Sequence, residues 1–300
     1  GENVMSNYNL IGKWFPPPRK QEAYDWMVRE TQQTEWIEQQ GIFLWLAFFV
    51  SEIGAGLYFV SMLYNYIPGM ATGWICTLLL GGLIHMAYLG NPKRFWRIFL
   101  KPNKSELSRG VWVIGLFAVF GFLQLLVFGP ESGFLKLLTG ITCILLIMHG
   151  FATMNVMKAL PAWSSTILIP LSIISGLWVG SQIFQFMLAA GGADAAVFEK
   201  WAAALFAAYV VTLLLHIWST SHLSDTARVS IRTMIKGEYA KMFLLCVIGA
   251  GIFLPLIFTL IMAGGSVNVG WIFLRLVFVF FGDLMMRYFI MKSAFYTPLI

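Results

Sequence analysis

Eight long apolar runs, parted by short polar breaks, fill most of this 300-residue chain. They lie near 41–64, 73–90, 110–129, 134–157, 164–189, 199–219, 242–263 and 270–291. Each approaches the ~20 residues that carry a helix across ~30 Å of hydrocarbon. The runs are continuous rather than alternating, which selects helices over the strands of a barrel. Hydrophobic residues make up 59% of the chain and charged residues 11%, with a mean hydropathy of +0.76; a soluble domain carries about 25% charged residues. Too little polar surface remains to cover a soluble protein. The expected fold is all-α and integral to a membrane, with eight transmembrane helices in bundles. Residues 1–40 form a separate N-terminal segment, and 41–300 the eight-helix domain.

Charge placement orients the expected bundle. Of the 20 Lys and Arg residues, 17 fall on one side: the N-terminal tail, the 93–109 loop, Lys158, the 228–241 loop and the C-terminal end. The opposite side holds Lys136 and Lys200, and Arg275 lies within the last run. This asymmetry predicts both termini in the cytoplasm. The net charge of +6 is then a topology signal, with no call for nucleic acid. No secretory signal pattern is visible. Cys76, Cys143 and Cys246 sit far apart inside apolar runs, without a CxxC, so neither an iron–sulfur cluster nor a zinc ribbon is expected in this chain. The tail, with Trp14-Phe15-Pro16-Pro17-Pro18, Tyr24, Trp26 and Trp36, is too aromatic for a solvated linker; it suits the membrane interface or a docked partner.

Ionisable groups inside the runs carry the chemistry. A charge at the centre of a span costs at least ~2.5–3.5 kcal/mol, so such groups pair or meet a functional cavity. Glu52 lies in Ser51-Glu52-Ile53-Gly54-Ala55-Gly56, where small residues admit another helix or a flat ligand. Two roles fit it: a carboxylate that exchanges protons or bonds a ligand oxygen, and an ion-pair partner of Arg275 or Arg287. Arg275, Asp283 and Arg287 share one broad helix face and with Glu52 make a candidate intramembrane charge path. Asp283 and Arg287, four apart, are placed to neutralise each other, and Arg275 to snorkel outward. His85, His149 and His216 sit toward the inner ends of their spans; imidazoles suit proton exchange and haem ligation alike.

The most specific stretch is His85-Met86-Ala87-Tyr88-Leu89-Gly90-Asn91-Pro92-Lys93-Arg94-Phe95-Trp96-Arg97, followed by Ser108-Arg109-Gly110. It resembles the H-L-x-R-P-x-x-F-W segment of the polysulfide reductase NrfD family, the NrfD/PsrC-like membrane anchors. Ile53-Gly54-Ala55-Gly56-Leu57 is similar to that family's first span, and Gly282-Asp283-Leu284-Met285-Met286-Arg287-Tyr288-Phe289-Ile290 to its last. Asn91 stands where the family has Arg, and Lys292-Ser293-Ala294 departs from the A-G seen near its end. The resemblance implies a subunit of a bacterial or archaeal cytoplasmic membrane that binds menaquinone or ubiquinone. It further implies electron exchange with a ferredoxin-like iron–sulfur subunit, itself attached to a molybdopterin or multihaem catalytic subunit.

Under that resemblance Glu52 and His85 handle protons, and Glu52, Gly56, His85, Tyr88 and His149 line the quinone. Arg94, Trp96, Arg97 and Arg109 anchor a partner or the loop itself. Two other readings are open: a b-type haem cytochrome using His149 and His216, and a proton or ion transporter.

Overall fold

Hydrocarbon offers backbone groups no partner, so each apolar run closes its own N–H to C=O ladder. The computed structural model describes residues 25–89, 92–265 and 267–299; the Trp14–Pro18 stretch, Tyr24, Gly90 and Asn91 lie outside them. Among the described residues, eight helices are long and apolar enough to cross a bilayer: α1 (Gly41–Leu63), α2 (Ile67–Tyr88), α3 (Glu106–Val127), α4 (Gly133–Asn155), α5 (Leu168–Ala190), α6 (Ala196–Ser221), α8 (Ala240–Ala263) and α9 (Val269–Lys292). A shorter amphipathic helix, α7 (Asp225–Ile235), joins α6 to α8. The chain is a multi-pass membrane protein of the expected class.

Boundaries moved where local chemistry extended a helix. α2 starts at Ile67, not near 73, because Pro68 falls in the first turn, where its missing N–H costs nothing. α3 starts at Glu106, capped by Ser105, whose side chain accepts from Ser108 N. The first connection thereby shrinks to Tyr64–Tyr66. Pro170 sits in the first turn of α5 and breaks nothing. Pro255 does matter: the ten residues before its turn, Leu244–Phe253, form a π-helix. A proline withdraws one N–H and crowds the carbonyl four residues back, and a wider turn relieves that crowding.

α1 is the most enclosed span, whereas α2, α3 and α8 turn most of their surface outward. α1 packs on α2, α4 and α5, and α9 packs on α5 and α8. One apolar core unites α1, α5, α6, α8 and α9; a second, around Tyr58, Phe117 and Cys143, fills the space among α1 to α4. The seam between α1 and α5 is made by glycine. A Cβ on Gly56 would overlap Gly176 O, and one on Gly180 would overlap the backbone at Gly56 and Leu57. Gly176 and Gly180 form a G-x-x-x-G pair that lets the two backbones touch. The space beside Gly56 therefore belongs to a helix, and Gly56 cannot line a flat ligand as its expected role required. Gly180→Leu is expected to lower stability by about 1–3 kcal/mol or more, read as a drop in midpoint during thermal unfolding in detergent. An unchanged midpoint would deny this seam its role.

Both ends of the described chain meet at one end of the bundle. Thr31 and Gln32 pair antiparallel with Tyr296 and Phe295. Gln33 donates to Met291 O at 2.7 Å and Gln32 to Lys292 O at 2.6 Å. Lys292 pairs with Glu38, and the rings of Trp36 and Trp163 meet edge-on at 5.3 Å. Residues 31–36 of the N-terminal segment thus dock on the chain's own C-terminal end.

Candidate functional site

α1, α5 and α9 converge below that end and bring together residues far apart in sequence. Arg287 of α9 donates through Nη1 to Glu52 Oε2, through Nε to Asp283 Oδ2 at 3.0 Å, and through Nη2 to Ser175 Oγ at 2.8 Å. Ser175 in turn donates to Asp283 Oδ1. The single proton of the Ser172 hydroxyl is divided between Ile147 O and Glu52 Oε2. Glu52, Asp283 and Arg287 are each at most 2% exposed. The guanidinium also faces the rings of Phe151 and Phe49, 5.1 and 5.8 Å from their centroids. Both ion pairs anticipated for Arg287 form, and they form together.

Charge counting gives this cluster a chemical property. It holds two carboxylates and one guanidinium, so one added proton makes it neutral. With both acids ionised, an uncompensated negative charge would stand in hydrocarbon, which is costly.

Glu52 is only half satisfied. Its Oε1 is buried over Gly150 with no hydrogen-bond partner among the described residues, although buried polar atoms are nearly always bonded. Trp45 Nε1, a donor, is also buried and unpartnered. Both residues line one cavity of about 10 Å³, with Phe48, Met154, Arg287 and Met291 among its walls. That is room for roughly one water and for no larger group. An orphan donor and an orphan acceptor on the same water-sized space make a site for a bridging water.

Two imidazoles also meet the Phe48 ring. The Phe48 ring meets His85 edge-on at 5.5 Å and His149 at 6.0 Å. His85 Nδ1 lies 2.9 Å from Gly81 O of its own helix, and Gly110 of α3 leaves space for the His149 ring. Tyr88, one turn beyond His85, lines a surface cavity of about 400 Å³ with Glu35, Glu38 and Gly41. Glu52, His85 and His149 are therefore grouped around Phe48, with Tyr88 toward the surface. His216 belongs elsewhere: it is buried in α6 beside Thr220 of its own helix, so it and His149 meet different neighbours.

Arg275 corrects an expectation. It does not snorkel; it is fully buried because Glu199 grips it. Arg275 Nη1 reaches Glu199 Oε2 at 2.9 Å and Nη2 reaches Oε1 at 3.0 Å, a two-pronged pairing. Gln185 Oε1 and Thr259 Oγ1 accept at 2.6 and 3.1 Å. Glu199 also borders an open cavity of about 820 Å³ at the end of the bundle away from the termini. Between the two charged clusters lie Gln182 Oε1 and Tyr209 OH, both buried and unpartnered. Ser172, Ser175, Gln182 and Gln185 put a buried polar line along α5.

Arg109 holds its own loop, bonded to Glu106, to Pro102 O at 3.0 Å and to Asn103 O. Arg94, Trp96 and Arg97 are exposed on the short helix Pro92–Leu100. Among the residues that sequence reasoning missed, Trp45, Ser172, Ser175 and Glu199 matter most. Only the spacing of Ser172 and Ser175, three apart beside Gly176, offered a signal. No protein-family model matches the chain, and a search of curated proteins likewise finds no match.

Proposed function

We propose that this chain is the quinone-reactive membrane subunit of a respiratory oxidoreductase complex, of the polysulfide reductase NrfD type. On this reading it binds menaquinone or ubiquinone and exchanges electrons with a ferredoxin-like iron–sulfur subunit. That subunit serves a molybdopterin or multihaem catalytic partner. The observation that carries the reading is Glu52: a carboxylate buried in a membrane, bonded on one oxygen only, and sharing a cavity with Phe48, whose ring two imidazoles also meet. Intramembrane carboxylates arranged in this way mark proton relays.

The quinone brings the redox chemistry, and the chain supplies shape, a dry environment and protons. The space at Glu52 has room for about one water and none for a ring. The ring oxygens accordingly belong on the imidazole side of Phe48, with His85 and His149 as hydrogen-bond partners and Tyr88 at the entry. Glu52 then stands one layer behind, holding the proton that offsets the cluster's surplus negative charge and passing it through the cavity water.

The whole reading is tested by isolating the complex from its native membrane, identifying its subunits by mass spectrometry and recording its visible spectrum. Co-isolation of an iron–sulfur subunit and quinol oxidation support it. A chain that travels alone, or one whose spectrum shows haem bound to it, ends it. The relay has its own test. Trp45→Phe removes the orphan donor and keeps the ring. It is expected to slow quinol turnover about tenfold, the worth of one hydrogen bond of about 1.4 kcal/mol, with the unfolding midpoint unchanged. Turnover within twofold of wild type would remove the water from the path.

A further inference from the structure

Three cations converge on a groove that the quinone reading leaves unused. The helix Pro92–Leu100 is a 3₁₀ helix, in which residues three apart are eclipsed, so Arg94 and Arg97 stand on one side with Lys101 just beyond. All three line a cavity of about 420 Å³ between this segment and the start of α3. Neighbouring Arg109 is fully engaged by its own loop. Arg94, Arg97 and Lys101, by contrast, form no ion pair among the described residues. Ser105, at the N-terminus of the 22-residue α3, borders the same cavity, where the helix end adds a weaker preference for negative charge.

Leu89, Phe95 and Ile98 give the groove apolar walls, and Ser108 completes its polar side. The groove sits where α2 ends and α3 begins, at the edge of the hydrocarbon. Trp96, Phe99, Leu100 and Trp112 are exposed around it, as in the aromatic belt of a membrane protein. The segment is pinned rather than loose, since Trp112 Nε1 donates to Phe99 O at 3.2 Å and their rings meet at 6.1 Å. A free anion has no use for apolar walls, and a partner from the aqueous phase has none for tryptophans at the edge of the hydrocarbon. We infer that this groove binds the anionic head group of a membrane phospholipid, its phosphate held by Arg94, Arg97 and Lys101 and its glycerol end against Leu89, Phe95 and Ile98.

The test uses the full chain, purified in its complex, stripped of lipid and titrated by native mass spectrometry. The probes are dioleoyl phosphatidylglycerol, dioleoyl phosphatidylcholine and inorganic phosphate. Saturable binding of phosphatidylglycerol is expected, with phosphatidylcholine far weaker and phosphate undetected. Each cation contributes about a fivefold factor near an anionic surface, so R94Q/R97Q/K101Q is expected to weaken phosphatidylglycerol binding about a hundredfold. The equally neutralised control R232Q/K236Q/K241Q, with all three residues exposed between the last turn of α7 and the start of α8, is expected to leave it unchanged. Because the three groove cations are exposed, the unfolding midpoint should hold. Equal binding by both triple variants overturns the inference, as does phosphate binding as tightly as the lipid. Loss of a protein subunit from the R94Q/R97Q/K101Q complex with lipid binding intact also overturns it, assigning the groove to that partner.

Discussion

Arg287→Met is expected to lower stability by about 3–5 kcal/mol, because it strands Glu52 and Asp283 as two buried acids without their cation. The side chain bonds both carboxylates and Ser175 through three different nitrogens, so no point charge replaces it. Arg287→Lys is expected to recover only part of the loss. The informative comparison is the triple variant E52Q/D283N/R287M, which removes the charges together. It should unfold near the wild-type midpoint, since a buried ionic cluster is dispensable once no member is left unpaired. Unfolding titrations in mixed detergent read both. A single Arg287→Met variant as stable as wild type would mean that the cluster is not the dry network described here.

If the chain is the proposed quinone-reactive subunit, Glu52→Gln is expected to cut quinol oxidation by its complex about 100-fold or more, the usual worth of a positioned proton-transfer group. A glutamine keeps the shape and still accepts from Arg287, so assembly and midpoint should survive. That separation is the point of the substitution: a purely structural carboxylate would lose stability and keep turnover. Turnover within threefold of wild type in an assembled complex would take Glu52 out of the proton path, leaving the fold and the lipid groove untouched.

The spans were legible because the bilayer sets their length, and α2 and α3 were misplaced only at ends where Pro68 and Ser105 changed the local balance. Asp283 with Arg287 was legible from a spacing of four on one helix. The pairing of Arg275 with Glu199 was not, because an acid in the first turn of a span looks like any helix-start acid and its partner lies 76 residues away. Gly56 admitted a helix or a flat ligand by size alone; only the position of α5 decides between them. Trp45 read as one more apolar residue, and its orphan N–H shows only beside the cavity it shares with Glu52. The docking of residues 31–36 on the chain's own end rests on a two-residue strand and a few amide bonds, too short for any periodicity to announce.

Arg275 and Arg287 anchor the two charged clusters twelve positions apart on α9, about 18 Å along its axis. The hydrocarbon layer is about 30 Å deep, so roughly 60% of any voltage across it falls between them. A unit charge carried from one cluster to the other would do work of about 1.4 kcal/mol per 100 mV. Turnover that used this stretch of α9 would therefore be electrically active, slowing or quickening with the polarity imposed on a sealed vesicle.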